Sequence, residues 1–190
     1  MRLIDEGGDG LVTMDDLANT GSISKRYDQK ESIFAENTAI RFFDEFQYFT
    51  NIKVLGQSSF QACKNLERIT LPAGVKEIAG YYLDNTAISK IVVPEGVEIV
   101  GAAFVASCQR LEYIEFPSTI KSIGTDLLYN SRATPAVVVK STTPPSFGGF
   151  GWYTDGTIIY VPDGSVSAYQ AHSDWKSFAD IIHPLSEYAG

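Results

Sequence analysis

One pattern of hydrophobic and polar residues recurs along the chain and predicts its architecture. In residues 66–72 an aliphatic residue is followed by two polar residues, a second aliphatic, one polar residue, a third aliphatic and a proline. The same apolar positions and proline return in residues 88–94 and 111–117, where the third apolar residue is valine or phenylalanine. Alternate residues of a strand face one side, so the last two apolar residues of each copy point into one core. Proline cannot donate to a strand ladder and marks the strand's end.

The copies follow one another at a nearly constant interval. Six central aliphatic residues lie 22 or 23 residues apart, and they are Ile69, Ile91, Ile114, Val137, Ile159 and Ile181. Three residues after them come five of the chain's 8 prolines, at positions 72, 94, 117, 162 and 184. A fixed period of roughly 20–50 residues is typical of stacked-repeat proteins. The chain is therefore predicted to be a solenoid with one strand of this kind per coil.

A second apolar pair with i, i+3 spacing follows the strand in each coil. The pairs are Ile52/Leu55, Val75/Ile78, Val97/Val100 and Ile120/Ile123. Small residues come after each pair and allow the chain to turn back across the far side of the coil. A large apolar residue, such as Phe60 or Phe104, completes the filling. No coil can bury these groups alone, so we assign all of them to a core shared between neighbouring coils.

Composition and charge narrow the classes of function. The 190 residues are 44% hydrophobic and 20% charged, as in a soluble folded protein. The net charge of −8 argues against nucleic-acid binding, and no apolar stretch approaches the roughly 20 residues of a transmembrane helix.

Cys63 and Cys108 share one phase of the repeat two coils apart. Two strand spacings amount to about 10 Å, which is too far for a disulfide, so we expect two free, buried thiols.

The repeat resembles that of the BspA-like leucine-rich repeat family of bacterial surface proteins. Residues 60–72 fit a repeat similar to LxxIxLPxxVxxIgxxaFxxCxxL closely, whereas Leu83 replaces the aromatic residue of one coil and Lys140 the proline of another. The resemblance implies a right-handed leucine-rich repeat solenoid with a parallel β-sheet on one face. It also implies a cell-surface or secreted protein, its leader absent from this chain. Relatives are associated with adhesion but share no single ligand.

One continuous domain with a cap at each end is predicted. The N-terminal cap takes residues 1–51, the repeats 52–162 and the C-terminal cap 163–190. Near the first boundary, Asp44 is predicted to cap a short amphipathic helix that buries Phe46 and Phe49. The last segment also resembles the family's final segment. Caps are needed because the terminal coils otherwise expose their apolar interior.

Residues 5–16 are similar to a calcium-binding loop. The candidate ligands are Asp5, Asp9, Leu11 at the position that supplies a backbone carbonyl, Thr13, and Asp16 in place of the usual bidentate glutamate. Gly7 stands at the third ligand position and offers no side-chain oxygen. The segment is therefore either a calcium site or a degenerate, metal-free turn. No other cofactor is predicted.

Catalytic motifs are absent from the sequence. His172 and His183 are the 2 histidines, and no HExxH, CxxC, GxSxG or phosphate-binding loop pattern occurs. The chain is therefore predicted not to be an enzyme. In the glycine-rich segment 147–153, the Trp152–Tyr153 pair suits stacking on a sugar, or the segment folds back as the far side of its coil.

The positions that alternate with the core residues form a candidate binding face on the predicted sheet. They include Arg68, Thr70, Lys90, Val92, Tyr113, Glu115 and Tyr160. We interpret the chain as a monomeric protein-interaction or adhesion module that presents this face to a protein or glycan ligand. An exposed apolar patch along Val92, Tyr113, Val138 and Tyr160 would favour this interpretation. The alternative is a structural spacer with a calcium-stabilised N-terminal turn.

Overall fold

The structure, a computed structural model, describes residues 22–23, 34–132, 135–152 and 156–190. The predicted calcium loop and Tyr153 lie outside the described residues. Within them, the strands in chain order are β1 (Ser22–Ile23), β2 (Phe42–Phe43), β3 (Val54–Leu55), β4 (Arg68–Ile69), β5 (Glu77–Ile78), β6 (Lys90–Val92), β7 (Ile99–Val100), β8 (Tyr113–Phe116), β9 (Ser122–Ile123), β10 (Ala136–Val139), β11 (Ser146–Phe147), β12 (Ile158–Val161) and β13 (Ile182–Pro184). The helices are α1 (Val166–Ala171) and 3-10 turns at Asp44–Tyr48, Asp163–Ser165, Lys176–Ile181 and Leu185–Glu187.

The strands predicted from the repeat form the main sheet. Five of them pair in the order β13-β12-β10-β8-β6, all parallel. Strand β4 lies beside β6 and pairs with β2 in a separate two-stranded sheet. The register aligns Ile91 with Ile114, Ile114 with Val137, and Val137 with Ile159. The predicted leucine-rich repeat solenoid of parallel strands is therefore confirmed, with the predicted residues in line.

The last strand departs from the predicted phase by one residue. Ile182, and not Ile181, pairs with Ile159, and Pro184 pairs with Val161. Ile181 instead ends the 3-10 turn Lys176–Ile181 and is partly exposed, whereas Ile182 is buried. The 3-10 turn extends to Ile181, so the strand begins only after it and the inward position falls on Ile182, 23 residues after Ile159.

A second parallel sheet lies where the sequence indicated only a recurring apolar pair. Its strands pair in the order β1-β3-β5-β7-β9-β11. Each is two residues long, so no alternation of apolar and polar residues develops that the sequence could show. The second residue of each pair, such as Ile78 or Val100, is buried within a strand, while Ile99 beside Val100 is 43% exposed. The coils therefore have a parallel ladder on two sides.

On the turn side, between the second sheet and the next main-sheet strand, the coils approach closely. A Cβ atom on Gly101 would lie 2.4 Å from the backbone nitrogen of Gly80, and one on Gly124 would lie 2.4 Å from that of Ala102. Backbone hydrogen bonds continue on this side, including Tyr81 N to Ala102 O at 2.8 Å. Glycine is required at these contacts because any side chain would push neighbouring coils apart.

Aromatic residues close the two ends of the core. At the N-terminal end the rings of Phe34 and Phe60 stack at 4.9 Å, and Phe46 packs against Phe60 at 5.8 Å. At the other end Trp175 is fully buried, stacks on Phe147 at 4.3 Å and donates to the Pro145 carbonyl at 2.8 Å. These contacts cover the apolar interior that an open coil would expose.

The predicted helix after Asp44 is a 3-10 turn, and the capping prediction was wrong. Asp44 is the first residue of the turn, and no side-chain cap bond is formed there. Its carboxylate instead accepts hydrogen bonds from Arg68 and Thr70 across the stack. The guanidinium group of Arg68 forms two charge-assisted hydrogen bonds with this carboxylate, which are stronger than a single hydrogen bond to the backbone of a short turn.

Both cysteines are free and buried, as the repeat phase predicted. The Cys63 thiol donates to the Phe34 carbonyl at 2.8 Å, and the Cys108 thiol to the Leu83 carbonyl at 3.2 Å. Burial raises the pKa of each thiol to about 11. A thiol in this state is a poor nucleophile and acts as a small core residue.

Candidate functional site

The two-stranded sheet of β2 and β4, together with the neighbouring strand β6, presents an exposed face. Here we call it the open face, defined as Phe42, Arg68, Thr70, Lys90 and Val92. Phe42 is 49% and Val92 42% exposed, and the other three side chains are also exposed. Sequence reasoning identified four of these residues and missed Phe42, because it placed the segment 40–43 in the cap and not beside the first regular strand.

Arg68 is held in a fixed position on the open face. It binds the Asp44 carboxylate through Nε at 2.8 Å and Nη2 at 2.5 Å, and Thr70 donates to the same carboxylate at 3.2 Å. The hydrogen bonds from Arg68 hold the pKa of Asp44 below its usual range. The guanidinium group also lies 4.9 Å from the centre of the Phe42 ring, and that of Arg41 lies 5.1 Å from it. Phe42 therefore projects between two cations.

A polar chain crosses the middle of the main sheet. Lys90 Nζ lies 4.6 Å from the ring centre of Tyr113, the Tyr113 hydroxyl donates to Glu115, and Lys140 pairs with Glu115 at 2.5 Å. Burial raises the pKa of Glu115, but bonding to Lys140 and Tyr113 outweighs it, so the pKa lies below its usual range. Burial and the bond to Glu115 raise the pKa of Tyr113. Tyr113 and Glu115, two residues of the predicted binding face, therefore bind each other.

The C-terminal half of the same face is covered by the end of the chain. The ring of Tyr188 lies 5.5 Å from that of Tyr113 and 5.1 Å from that of Tyr160. Val138, on the strand between them, is only 1% exposed. The backbone N–H of Ser186 binds the Asp163 carboxylate at 3.0 Å and ties the tail down. The apolar patch along Val92, Tyr113, Val138 and Tyr160, which would have favoured a binding module, is therefore not continuous, because Val138 is buried.

The glycine-rich segment 147–153 was predicted either to stack on a sugar or to fold back as the far side of its coil, and its described residues show features of both. Phe147 and Phe150 are buried, with rings 4.8 Å apart, and complete the far side of their coil. Trp152 is 80% exposed and touches the ring of Tyr129 edge-on at 5.6 Å. One part of the segment therefore belongs to the core, and Trp152 stands at the surface.

The described residues show neither a metal cluster nor a membrane span. They hold no group of three or more His, Cys, Asp or Glu side chains that could bind a metal ion. None of the helices in the described ranges is long and apolar enough to cross a membrane. The proposed calcium ligands at residues 5–16 stay a prediction because they lie outside these ranges.

Comparison with solved structures finds three similar chains, two of which are leucine-rich repeat proteins. The chain is similar to a leucine-rich repeat protein of T. pallidum, with 16% identity, a TM-score of 0.48, and coverage of 84% of this chain and 82% of that one. For a leucine-rich repeat protein from Bacteroides ovatus the values are 16%, 0.35, 62% and 39%. For the pneumococcal vaccine antigen PcpA they are 7%, 0.28, 72% and 65%. A search of curated proteins finds no match.

A comparison with family models addresses the repeat itself. The model described as a BspA type leucine-rich repeat region matches residues 31–144 in 6 copies. That range is more than half of the 190 residues and contains the coils whose prolines, glycines and core residues are in register. The family's repeats form a protein-interaction scaffold that is typically non-enzymatic. By this match the chain belongs to the BspA-type leucine-rich repeat family.

Proposed function

We propose that this chain is a non-enzymatic protein-interaction or adhesion module of a bacterial cell-surface or secreted protein. The open face is its binding surface. The observation that carries this proposal is Phe42, which is 49% exposed between Arg41 and Arg68 and pairs in register with Arg68. Family membership supports the protein-interaction part of the proposal, because solenoids of this kind present extended surfaces to partners.

The side chains of the open face suit a protein partner. Aromatic residues and arginine are enriched among the residues that dominate binding energy at protein interfaces. Arg68 is already held by Asp44, so less side-chain entropy is lost when a partner docks against it. Lys90 adds a positive charge next to Tyr113. The face is therefore preorganised, with an exposed aromatic ring flanked by basic side chains.

The test is a binding screen of the purified chain against host matrix proteins and glycans, followed by variants of the open face. With a partner in hand, Phe42→Ala should weaken binding roughly tenfold, and Val92→Ala should weaken it by a smaller factor. Val54→Ala is the matched control, since Val54 is 41% exposed on the second sheet. Surface plasmon resonance measures all three affinities. Equal losses for Val92→Ala and Val54→Ala would contradict the assignment of this face.

The second candidate function is a structural spacer with a calcium-stabilised N-terminus. The sequence pattern at residues 5–16 favours it, with Asp5, Asp9 and Asp16 at charged ligand positions. A ligand that binds only the native state raises its stability. The thermal midpoint should therefore rise when calcium replaces a chelator, and Asp5→Asn with Asp9→Asn should abolish the rise. An identical midpoint in both buffers rules out this candidate.

A further inference from the structure

A groove of about 300 Å³ crosses three successive coils on the turn side of the solenoid. Each wall carries one tyrosine and one aspartate, in opposite order. One wall consists of Tyr81 and Asp84, and the other of Asp126 and Tyr129. Because the walls belong to coils two steps apart, about 10 Å separates their backbones. That width admits one flat group between the walls.

The floor of the groove exists because the middle coil carries alanine where its neighbours carry larger residues. Ala103 has the repeat phase of Tyr81 and Asp126, and it is 3% exposed. Ala106 has the phase of Asp84 and Tyr129, and it is 2% exposed. Backbone hydrogen bonds between the coils, such as Ala103 N to Thr125 O at 2.8 Å, hold the floor in place. The groove is thus preformed.

The lining offers hydrogen-bond acceptors and aromatic surface. Tyr81 is 43% and Tyr129 40% exposed, and Trp152 extends the wall beside Tyr129. Among the described residues neither aspartate of the groove forms an ion pair, and Asp84 accepts one hydrogen bond, from Gln61 Nε2 at 2.9 Å. The side-chain donors of the lining residues are the hydroxyl groups of the two tyrosines and Ser107. The site therefore suits a planar ligand that donates hydrogen bonds and carries positive charge.

We propose that this groove binds the guanidinium group of an arginine side chain in a basic segment of a partner protein. A guanidinium group is planar, has donors and no acceptor, stacks on aromatic rings and pairs with carboxylates. Sugar hydroxyls both donate and accept, and they would meet few donors here. The net charge of −8 attracts a basic partner. The proposal goes beyond the proposed function, because the groove is separate from the open face, and shares with it only the assumption of a protein ligand.

An NMR titration of the isotope-labelled chain tests the groove directly. The probe is the capped tripeptide Gly-Arg-Gly, and the matched neutral probe has citrulline in place of arginine. The arginine peptide should shift the backbone amide signals of Ala103, Ala106 and Ser107, with an affinity that falls as salt rises. The citrulline peptide should leave these signals unchanged. Equal shifts from both peptides, or no shift from either, overturn the proposal.

Variants assign the effect to the carboxylates. Asp126→Asn should weaken arginine-peptide binding roughly tenfold. Asp126 has a φ of 60°, and asparagine adopts that backbone conformation readily, so the variant should fold, as an unchanged melting midpoint will show. Asp180→Asn is the control, since it removes the same charge from an exposed position in the C-terminal turn. Equal losses in the two variants would mean general charge attraction and would overturn the site.

Two further outcomes separate this proposal from the proposed function. If a partner protein binds through Phe42 and Val92 but is insensitive to Asp126→Asn and displaces no arginine peptide, the groove proposal fails and the open face stands. If the arginine peptide binds the groove and no protein depends on Phe42, the groove proposal stands and the open face fails. A shift of the groove amides by N-acetylglucosamine that survives Asp126→Asn overturns the arginine assignment in favour of a sugar.

Discussion

At the scale of single residues, close approach between coils depends on glycine. The residue that precedes a turn-side segment is small because the backbone of a neighbouring coil occupies the space of its side chain. Gly101 shows this most clearly, since the nearest atoms to its absent Cβ are backbone atoms of Ala79 and Gly80. Backbone cannot swing aside as a flexible side chain can. A methyl group there must separate two coils that are joined by hydrogen bonds.

Gly101→Ala should therefore destabilise the fold. The added Cβ would lie 2.4 Å from the Gly80 nitrogen, and overpacking of this kind costs about 1–3 kcal/mol of unfolding free energy. Gly164→Ala is the control, because no atom lies within 4 Å of its Cβ position. Urea denaturation of both variants measures the difference. A Gly101→Ala variant as stable as Gly164→Ala would show that the coils can separate at no cost.

Sequence reasoning was accurate for residues whose neighbours belong to the repeat. Ile91, Ile114 and Val137 are buried and aligned as their period indicates. It failed where a residue contacts something outside the repeat. Val138 has the phase of an exposed residue, yet a tail segment without periodicity covers it. Asp44 has the sequence of a helix cap, but its partner Arg68 lies 24 positions away, and local patterns carry no information about such pairs.

At the scale of elements, strand length decides what could be predicted. The strands of the main sheet reach four residues, and in β8 and β12 buried residues alternate with more exposed ones. The strands of the second sheet have two residues, which is shorter than one full alternation. Its existence follows from stacking, since every coil places the same backbone groups at the same level. The strand propensity of the individual residues does not predict this second sheet.

The C-terminal tail packs on the outer side of the main sheet through Tyr188, whose ring contacts those of Tyr113 and Tyr160. Tyr188→Ala should uncover Val138 and remove two ring contacts, at a cost on the order of 1–2 kcal/mol in unfolding free energy. Tyr48→Ala is the control, since Tyr48 is 49% exposed at the other end of the chain. Thermal or urea unfolding compares the two. If both variants lose equally little, the tail does not pack stably on the sheet.

At the scale of the whole molecule, each coil rests on its two neighbours. The core is continuous from Phe34 at one end to Trp175 at the other, and its aromatic ends prevent water from entering the stack. Stability in such an array is the sum of coil and interface contributions. The two candidate binding surfaces lie on different sides of the solenoid. The open face is on the side of β2, β4 and β6, and the groove is on the turn side. The open face contains no side chain of the shared core. The groove contains two buried alanines, Ala103 and Ala106, as its floor.

The alanine floor has a consequence for how such a protein changes over time. Two small side chains in one coil turn a flat side into a groove, while the core positions of that coil stay apolar as in its neighbours. Duplicating or deleting one unit of 22 or 23 residues would shift, widen or erase the groove while the interior stays in register. New recognition properties can therefore arise by recombination of whole units, with no need to redesign the scaffold that carries them.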